Sequence, residues 1–151
     1  MSLENPPQVK VQSLIRKPIG EVYSAWIDPA VTTHFWFTKS NGKLEPGAKI
    51  KWEWEIYGAS ADVTVEALEP NKRIAISWSG PGPKVEWTFS ERPEGTVVVV
   101  TNSGFSKDET AVAQALDSQG GFTSMLAGAK AWLEHGLELN LVRDHHPEAW
   151  R

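Results

Sequence analysis

The sequence of 151 residues contains no cysteine, and this absence excludes several kinds of protein. Without thiols, the chain has no disulfide bridge, no thiolate nucleophile and no cysteine-ligated zinc. Stability must come from a buried core, for which 40% hydrophobic residues in a 16.7 kDa chain are sufficient. We expect a single domain over residues 1–151, with an ordered core at about 8–142 and a loosely held tail at 143–151.

Long apolar runs and basic clusters are also missing. No stretch is long enough to cross a bilayer, and the first ten residues lack the features of a secretory signal. The 15 Lys and Arg residues are scattered, and the formal net charge is −4. Because nucleic-acid binding requires a concentrated basic patch, we expect no nucleic-acid partner. The lack of a long apolar run likewise predicts no membrane span. We predict a cytoplasmic location.

Few residues offer catalytic or metal-binding chemistry. His145 and His146 are adjacent and lack the spacing of a tetrahedral metal site, and the sequence has no serine elbow or phosphate-binding glycine loop. We therefore predict no metal, no cofactor and no catalytic residue, and we favour a protein that is not an enzyme. An enzyme would need polar groups inside a cavity, and the candidates are His34, Asn102 and Thr123.

Tryptophan, by contrast, is abundant, with eight residues. Several lie in residues 48–103, where apolar and polar residues alternate with period two between short turns. In the clearest strand, Ile50, Trp52, Trp54 and Ile56 share one face and charged residues occupy the other. The pattern predicts an antiparallel meander of strands, although alternation does not fix the inward face of its last, valine-rich strand.

Two short helices are predicted between a first strand at about residues 8–16 and this meander. Pro18 stands where a first helical position is expected, and apolar residues at helical spacing follow until Asp28. The Asp28-Pro29 pair can cap a second helix, which leaves the aromatic run Phe35-Trp36-Phe37 at its exit.

The longest helical pattern runs from Ser106 to Val142, with apolar residues at intervals of three and four. Ser106 and Glu109 match a capping box, which predicts that the helix begins at Lys107. Gly120-Gly121 lowers the helix propensity in the middle of this segment, but the apolar residues on either side of it keep the same helical spacing. We therefore predict one helix that bends there, or two helices in line.

This order of elements predicts an α+β protein with a helix-grip fold. A curved antiparallel sheet of six to seven strands wraps around the long C-terminal helix, and two short helices follow the first strand. With no helices between the later strands, a parallel sheet is excluded.

The sequence resembles homologues of the activator of heat-shock protein 90 ATPase, within the START-like or Bet v 1-like (SRPBCC) superfamily. The resemblance covers nearly the whole chain and lies in Lys17-Pro18 through Ala25-Trp26, Asp28-Pro29, His34-Phe35-Trp36, Gly47 before Trp52 and Trp54, residues 69–73 before Trp78, Ser103-Gly104-Phe105, and Gly121 to Leu133. It implies a fold that usually encloses a cavity, and a chaperone as a partner.

The aromatic face of the predicted sheet is directed at the long helix. The rings can interdigitate into a solid core, or they can stand apart around a cavity that small residues at Gly128, Ala129 and Gly136 leave open. We predict a cavity that binds a small hydrophobic or aromatic molecule and is lined by Trp36, Trp52, Trp54, Trp78, Trp87, Phe89, Phe122, Leu126, Ala129 and Leu133.

Two alternatives to ligand binding remain open. One is a modulator of a chaperone or stress response, as the resemblance implies, and the other is a cyclase- or aromatase-like enzyme. For any of the three, we expect a monomer or a homodimer.

Overall fold

The computed structural model describes residues 6–78 and 83–150. Seven strands form one antiparallel sheet, and their bounds are β1 Val9–Ile15, β2 Lys39–Ser40, β3 Lys49–Trp54, β4 Ala59–Glu69, β5 Arg73–Trp78, β6 Lys84–Arg92 and β7 Gly95–Ser103. The helices are α1 Ile19–Ile27, α2 Pro29–Thr32, α3 Thr110–His135 and α4 Leu141–Asp144, with short 3-10 helices at Glu55–Tyr57 and Pro147–Trp150.

The strands follow the order β1-β7-β6-β5-β4-β3-β2 across the sheet. Every strand from β2 to β7 pairs with its sequence neighbour, and β1 closes the far side against β7. The sheet is curved, and α3 lies on its apolar face, so the predicted helix-grip fold of the α+β class is confirmed. The predicted break at residues 80–83 lies outside the described residues except for Pro83.

The structure shows which face of β7 points into the core, which alternation in the sequence did not determine. Thr96, Val98 and Val100 are buried, whereas Val97 and Val99 between them are half-buried. The strand is central, with β1 on one side and β6 on the other, so both of its faces carry apolar residues. The face that carries Val98 and Val100 belongs to the core under the helices.

Helix α3 begins later than the capping-box pattern predicts. Its first residue is Thr110, and the residue before it, Glu109, forms no side-chain cap hydrogen bond. The carboxylate of Asp108, two residues before the helix, bonds to the first turn instead. The Asp108 Oδ1 atom accepts a hydrogen bond from the Thr110 amide at 2.9 Å, and the Ser106 hydroxyl donates to the same carboxylate at 2.9 Å. The prediction of a start at Lys107 is therefore wrong.

The same helix ends earlier than its apolar pattern predicts. It stops at His135 because Gly136 adopts a left-handed conformation with φ of 66°, which closes a helix C-terminus. The extension to Val142 is wrong, and Leu137, which follows the helix end, is 55% exposed. Between its ends α3 is continuous through Gly120-Gly121, so the alternative of two helices in line is not observed.

A charged pair fixes the end of α3 to β1. The Lys130 Nζ donates to the Leu14 carbonyl at 2.6 Å and lies 2.7 Å from Glu134 Oε2, and that carboxylate also accepts from the Arg16 amide at 2.8 Å. Burial acts to raise the pKa of Glu134, but the hydrogen bonds from Lys130 and Arg16 outweigh it, and the pKa is lowered.

Replacing Glu134 with glutamine is expected to lower the free energy of unfolding by about 1–2 kcal/mol, because charge-assisted hydrogen bonds to a largely buried carboxylate are lost. A lowered folded-state pKa stabilises the protein above the ordinary value of 4.5 and loses that effect as pH falls through the folded-state pKa. Urea unfolding at pH 7 and pH 3 should therefore show a difference between wild type and variant that shrinks in acid. Glu109→Gln, at the exposed residue before α3, is the control, and equal losses would contradict the assignment.

Candidate functional site

Trp36 is the residue around which the aromatic side chains gather. The cap at Asp28, whose Oδ1 accepts from the Ala30 amide at 3.0 Å, starts α2 and sets the direction of the chain that leaves it. The Thr32 hydroxyl donates to the Ala25 carbonyl at 2.6 Å and fixes α2 to α1. Trp36 is thereby held between sheet and α3, with ring-centroid distances of 4.9 Å to Trp52, 5.7 Å to Trp54, 6.2 Å to Trp78, 5.8 Å to Trp87 and 6.0 Å to Phe122.

On the α1 side of Trp36 the core is solid. Phe89 packs edge-to-face on Tyr23 at 5.4 Å, and Leu126 and Ala129 are buried. Gly128 leaves no room for a ligand, since a Cβ placed on it would lie 3.1 Å from the Cβ of Phe35. Here the small residue serves close packing, not the cavity that its size suggested.

On the other side of Trp36 the rings border open space. Three cavities, each lined by both Trp36 and Trp54, meet there. The Tyr57 compartment has a volume of about 300 Å³, the Trp78 compartment about 280 Å³ and the His34 compartment about 230 Å³. The first two also share Asp117 and Gly121 of α3, so we treat them together as the aromatic cleft.

Helix α3 forms one wall of the cleft, and at Gly121 this wall has no side chain. A Cβ built on Gly121 would meet no atom within 4 Å, which means that the missing side chain is replaced by open space. One turn earlier Asp117 is exposed at the rim of the cleft, and next to Gly121 the Phe122 ring packs against Trp36. The glycine therefore leaves room beside the rings.

The chain after α3, residues 136–150, forms the remaining wall and is called here the C-terminal segment. Val142 and His146 line the Tyr57 compartment, and the Tyr57 hydroxyl donates to the backbone carbonyls of Val142 and, at 3.0 Å, Arg143. The Tyr57 ring also meets His146 edge-on at 6.0 Å. Residues that were predicted to be a loose tail after Val142 thus help to build the site.

Tyr57→Phe is expected to loosen the C-terminal segment, because the two backbone carbonyls lose their hydroxyl donor. We expect a loss of about 1 kcal/mol and roughly fivefold faster amide exchange in this segment, with the sheet unchanged. Hydrogen exchange followed by mass spectrometry measures both. Tyr23→Phe removes the only other tyrosine hydroxyl and is the matched control. Unchanged exchange after residue 136 in Tyr57→Phe would show that the hydroxyl does not hold the segment.

The fold brings His34 close to a carboxylate, Glu138, that is distant from it in the sequence. Its ring stacks on Trp132 at 3.8 Å with an interplanar angle of 9°, and its Nδ1 lies 3.4 Å from Glu138 Oε1. The other two catalytic candidates differ: the Asn102 amide donates to the Lys84 carbonyl at 2.8 Å, and Thr123 is exposed.

The structure divides the ten predicted ligand-binding residues into two groups. Those that line the open cavities are Trp36, Trp54, Trp78 and Phe122. Those that lie within the packed core or at its edge, away from these cavities, are Trp52, Trp87, Phe89, Leu126, Ala129 and Leu133. Sequence reasoning did not identify Tyr57, Asp117, Gly121 and Val142 as lining residues. The available signal was a small residue facing the aromatic sheet, and it indicated Gly128, which is closely packed.

Two general features of the described residues complete the description of the site. In residues 6–78 and 83–150 no group of three or more histidine, aspartate or glutamate side chains is placed to hold a metal ion. Within the same residues, no helix is both long enough and apolar enough to cross a membrane.

Comparisons with known proteins agree with this fold. Residues 16–134 match the family described as Activator of Hsp90 ATPase homolog 1-like protein. The crystal structure of SSP2350 from Staphylococcus saprophyticus is 31% identical, with a TM-score of 0.79 over 88% of this chain and 96% of that one. A search of curated proteins gave no match.

Two further structures extend the comparison. DynU16, a protein in the dynemicin biosynthetic locus, is 25% identical, with a TM-score of 0.76 over 87% of this chain and 48% of that one. The Aha1 dimer from Colwellia psychrerythraea is 20% identical, with a TM-score of 0.75 over 86% and 98%, and shows likeness of fold. Since the family match spans most of the residues, the chain belongs to the Activator of Hsp90 ATPase homolog 1-like family, as the sequence resemblance predicted.

Proposed function

We propose that the protein binds a small hydrophobic or aromatic molecule in the aromatic cleft. The observation that carries this proposal is the meeting of two cavities of about 300 and 280 Å³ on the same indole pair, Trp36 and Trp54, opposite the bare backbone of Gly121. Ligand pockets of proteins begin at about 300 Å³ and are mostly apolar with a few polar groups. A single molecule can extend through both compartments because they share these walls.

The proposal places the ligand nearer the N-terminal half of α3 than sequence analysis did. Leu126 and Ala129 are already covered by core atoms, whereas Gly121 has open space beside it. The C-terminal segment closes one end of the site, with Val142 as its apolar contribution.

Titration with N-phenyl-1-naphthylamine, a neutral aromatic dye whose fluorescence rises in apolar surroundings, tests the proposal. We expect saturable binding of one dye per chain, and quenching of tryptophan emission over the same concentration range. A linear, non-saturating signal from folded protein would contradict binding in the cleft.

Contact with a chaperone is a second candidate function, and the family description supports it. Val112 and Leu116, one turn apart on α3, are 50% and 68% exposed and offer a surface apart from the cleft. Adding the purified protein to the heat-shock protein 90 of the same organism should raise its ATPase rate, and Leu116→Glu should remove the effect. No change in rate would eliminate this candidate.

A cyclase- or aromatase-like reaction is the remaining alternative. The His34–Glu138 pair beside the His34 compartment supports it, as does the 25% identity to a protein in a biosynthetic locus. His34→Ala should then abolish turnover of a polyketide without weakening its binding. Turnover that persists in this variant would remove the imidazole from consideration.

Location and assembly complete the proposal. We propose that the protein acts in the cytoplasm, consistent with the lack of cysteine. A monomer or homodimer is expected, and the Colwellia psychrerythraea protein is a dimer.

A further inference from the structure

Asp117 places a carboxylate at the aromatic cleft. Asp117 lines both compartments and is exposed on α3, one turn before Gly121. Among the residues that the structure describes, none forms a hydrogen bond or an ion pair with its side chain. Other acidic side chains at α3 do have hydrogen-bond partners. Glu134 accepts from Lys130, and Asp108 accepts from the Thr110 amide in the first turn.

Aromatic rings surround the space next to this carboxylate. Trp36 and Trp54 meet at 5.7 Å with an interplanar angle of 74°, so that the two indoles form a corner, and Tyr57 lines the same compartment. Rings arranged around a common space attract a cation through their negative faces, most strongly when the cation is a desolvated ammonium group.

The Tyr57 compartment contains few ionisable side chains besides Asp117. Its other titratable side chains, apart from the ring hydroxyl, are His145 and His146, and the latter lies 3.2 Å from Glu148. Among the described residues that line this compartment there is no lysine or arginine, and Asp117 supplies the one carboxylate.

We infer that the aromatic cleft selects an organic cation, an amine attached to an apolar body. The apolar body lies against Trp36 and Gly121, and the ammonium group lies between Trp54 and the carboxylate of Asp117. This inference rests on the proposed function, because it specifies the charge of a ligand that the cleft must first bind. An anionic molecule of the same shape is repelled by the same carboxylate.

Two probes of equal shape separate charge from size. Benzyltrimethylammonium and its uncharged isostere neopentylbenzene are used to displace N-phenyl-1-naphthylamine at pH 7 and low salt. We expect the ammonium ion to bind more tightly than the isostere, and Asp117→Asn to weaken it roughly fivefold, since an exposed ion pair contributes little more. The affinity of the neutral dye should change less than about twofold, because its burial against the rings does not depend on charge.

Glu45→Gln is the control for net charge, because it removes one carboxylate from the loop before β3, at the far end of that strand from Trp54. It should leave the affinities of all three molecules unchanged. Trp54→Leu removes the ring but keeps an apolar side chain, and it should reduce the preference for the ammonium ion over the isostere.

The outcomes distinguish this inference from the function on which it rests. If the dye binds and neopentylbenzene competes as well as the ammonium ion, or if Asp117→Asn weakens both equally, the inference is wrong and the cleft is a neutral pocket. If the dye and both probes fail to bind the folded protein, the proposed function itself is wrong.

Discussion

Replacing Trp36 with alanine is expected to lower the free energy of unfolding by about 3–5 kcal/mol, as large-to-small changes at buried aromatic residues do. The indole is only 8% exposed and lies 4.9 Å from Trp52, 5.8 Å from Trp87 and 6.0 Å from Phe122. Its removal would leave these rings without a shared neighbour and join the open cleft to a new void. Urea unfolding at equilibrium measures the effect.

Trp132→Ala is the matched control for this change. Its indole is half-buried and stacks on His34 near the chain surface, so we expect a loss of about 1 kcal/mol, in proportion to the smaller area that it covers. If Trp36→Ala were no more costly than the control, Trp36 would not be the centre of the aromatic cluster.

Gly121→Leu is expected to abolish binding of a neutral aromatic probe, with at least a tenfold loss of affinity, while the protein stays folded. A side chain at this position enters empty space, because nothing lies within 4 Å of the added Cβ, and it then occupies both compartments of the cleft. Leucine also favours a helix over glycine by about 0.8 kcal/mol, so stability should not fall. Dye titration and thermal unfolding measure the two effects separately.

Gly120→Leu separates blocking of the cleft from the helix effect. Gly120 precedes it on the same helix, also has open space beside its Cα, and is absent from the lining of the cavities described above. The control should gain similar stability and keep full affinity for the dye. Equal loss of binding in both variants would indicate a change in α3 as a whole, and unchanged binding in Gly121→Leu would place the ligand elsewhere.

The fold could be predicted because its signals are local. Period-two alternation through Trp52 and Trp54 and the break at Pro18 reflect the geometry of a strand and of a helix start, which neighbouring residues determine. The ends of α3 were less accessible. At the start, Asp108 and Ser106 are both residues that commonly cap helices, so the sequence did not distinguish between them. At the end, Gly136 fits the spacing of the small and apolar residues on the buried face, and the sequence did not show that its φ is positive.

The site was harder to predict because its walls are distant in the sequence. Alternation placed tryptophans on one face of the sheet, but it could not show that Trp36 would fill the centre and leave space only on one side. Tyr57 reaches Val142 across 85 positions, and no local pattern indicates this bond. Gly128 and Gly121 look alike in sequence, yet one is covered by Phe35 and the other is open.

The most direct test of ligand binding in the cleft uses the indole N–H resonances of the eight tryptophans. They are assigned by single Trp→Phe substitutions and followed by NMR during titration with N-phenyl-1-naphthylamine. We predict saturable shifts for Trp36, Trp54 and Trp78, which line the cleft, and little change for Trp26, whose Nε1 faces Met125 Sδ at 3.4 Å in the packed core. Shifts at Trp26 without shifts at Trp36 and Trp54, or no saturable shift at all, would contradict the account.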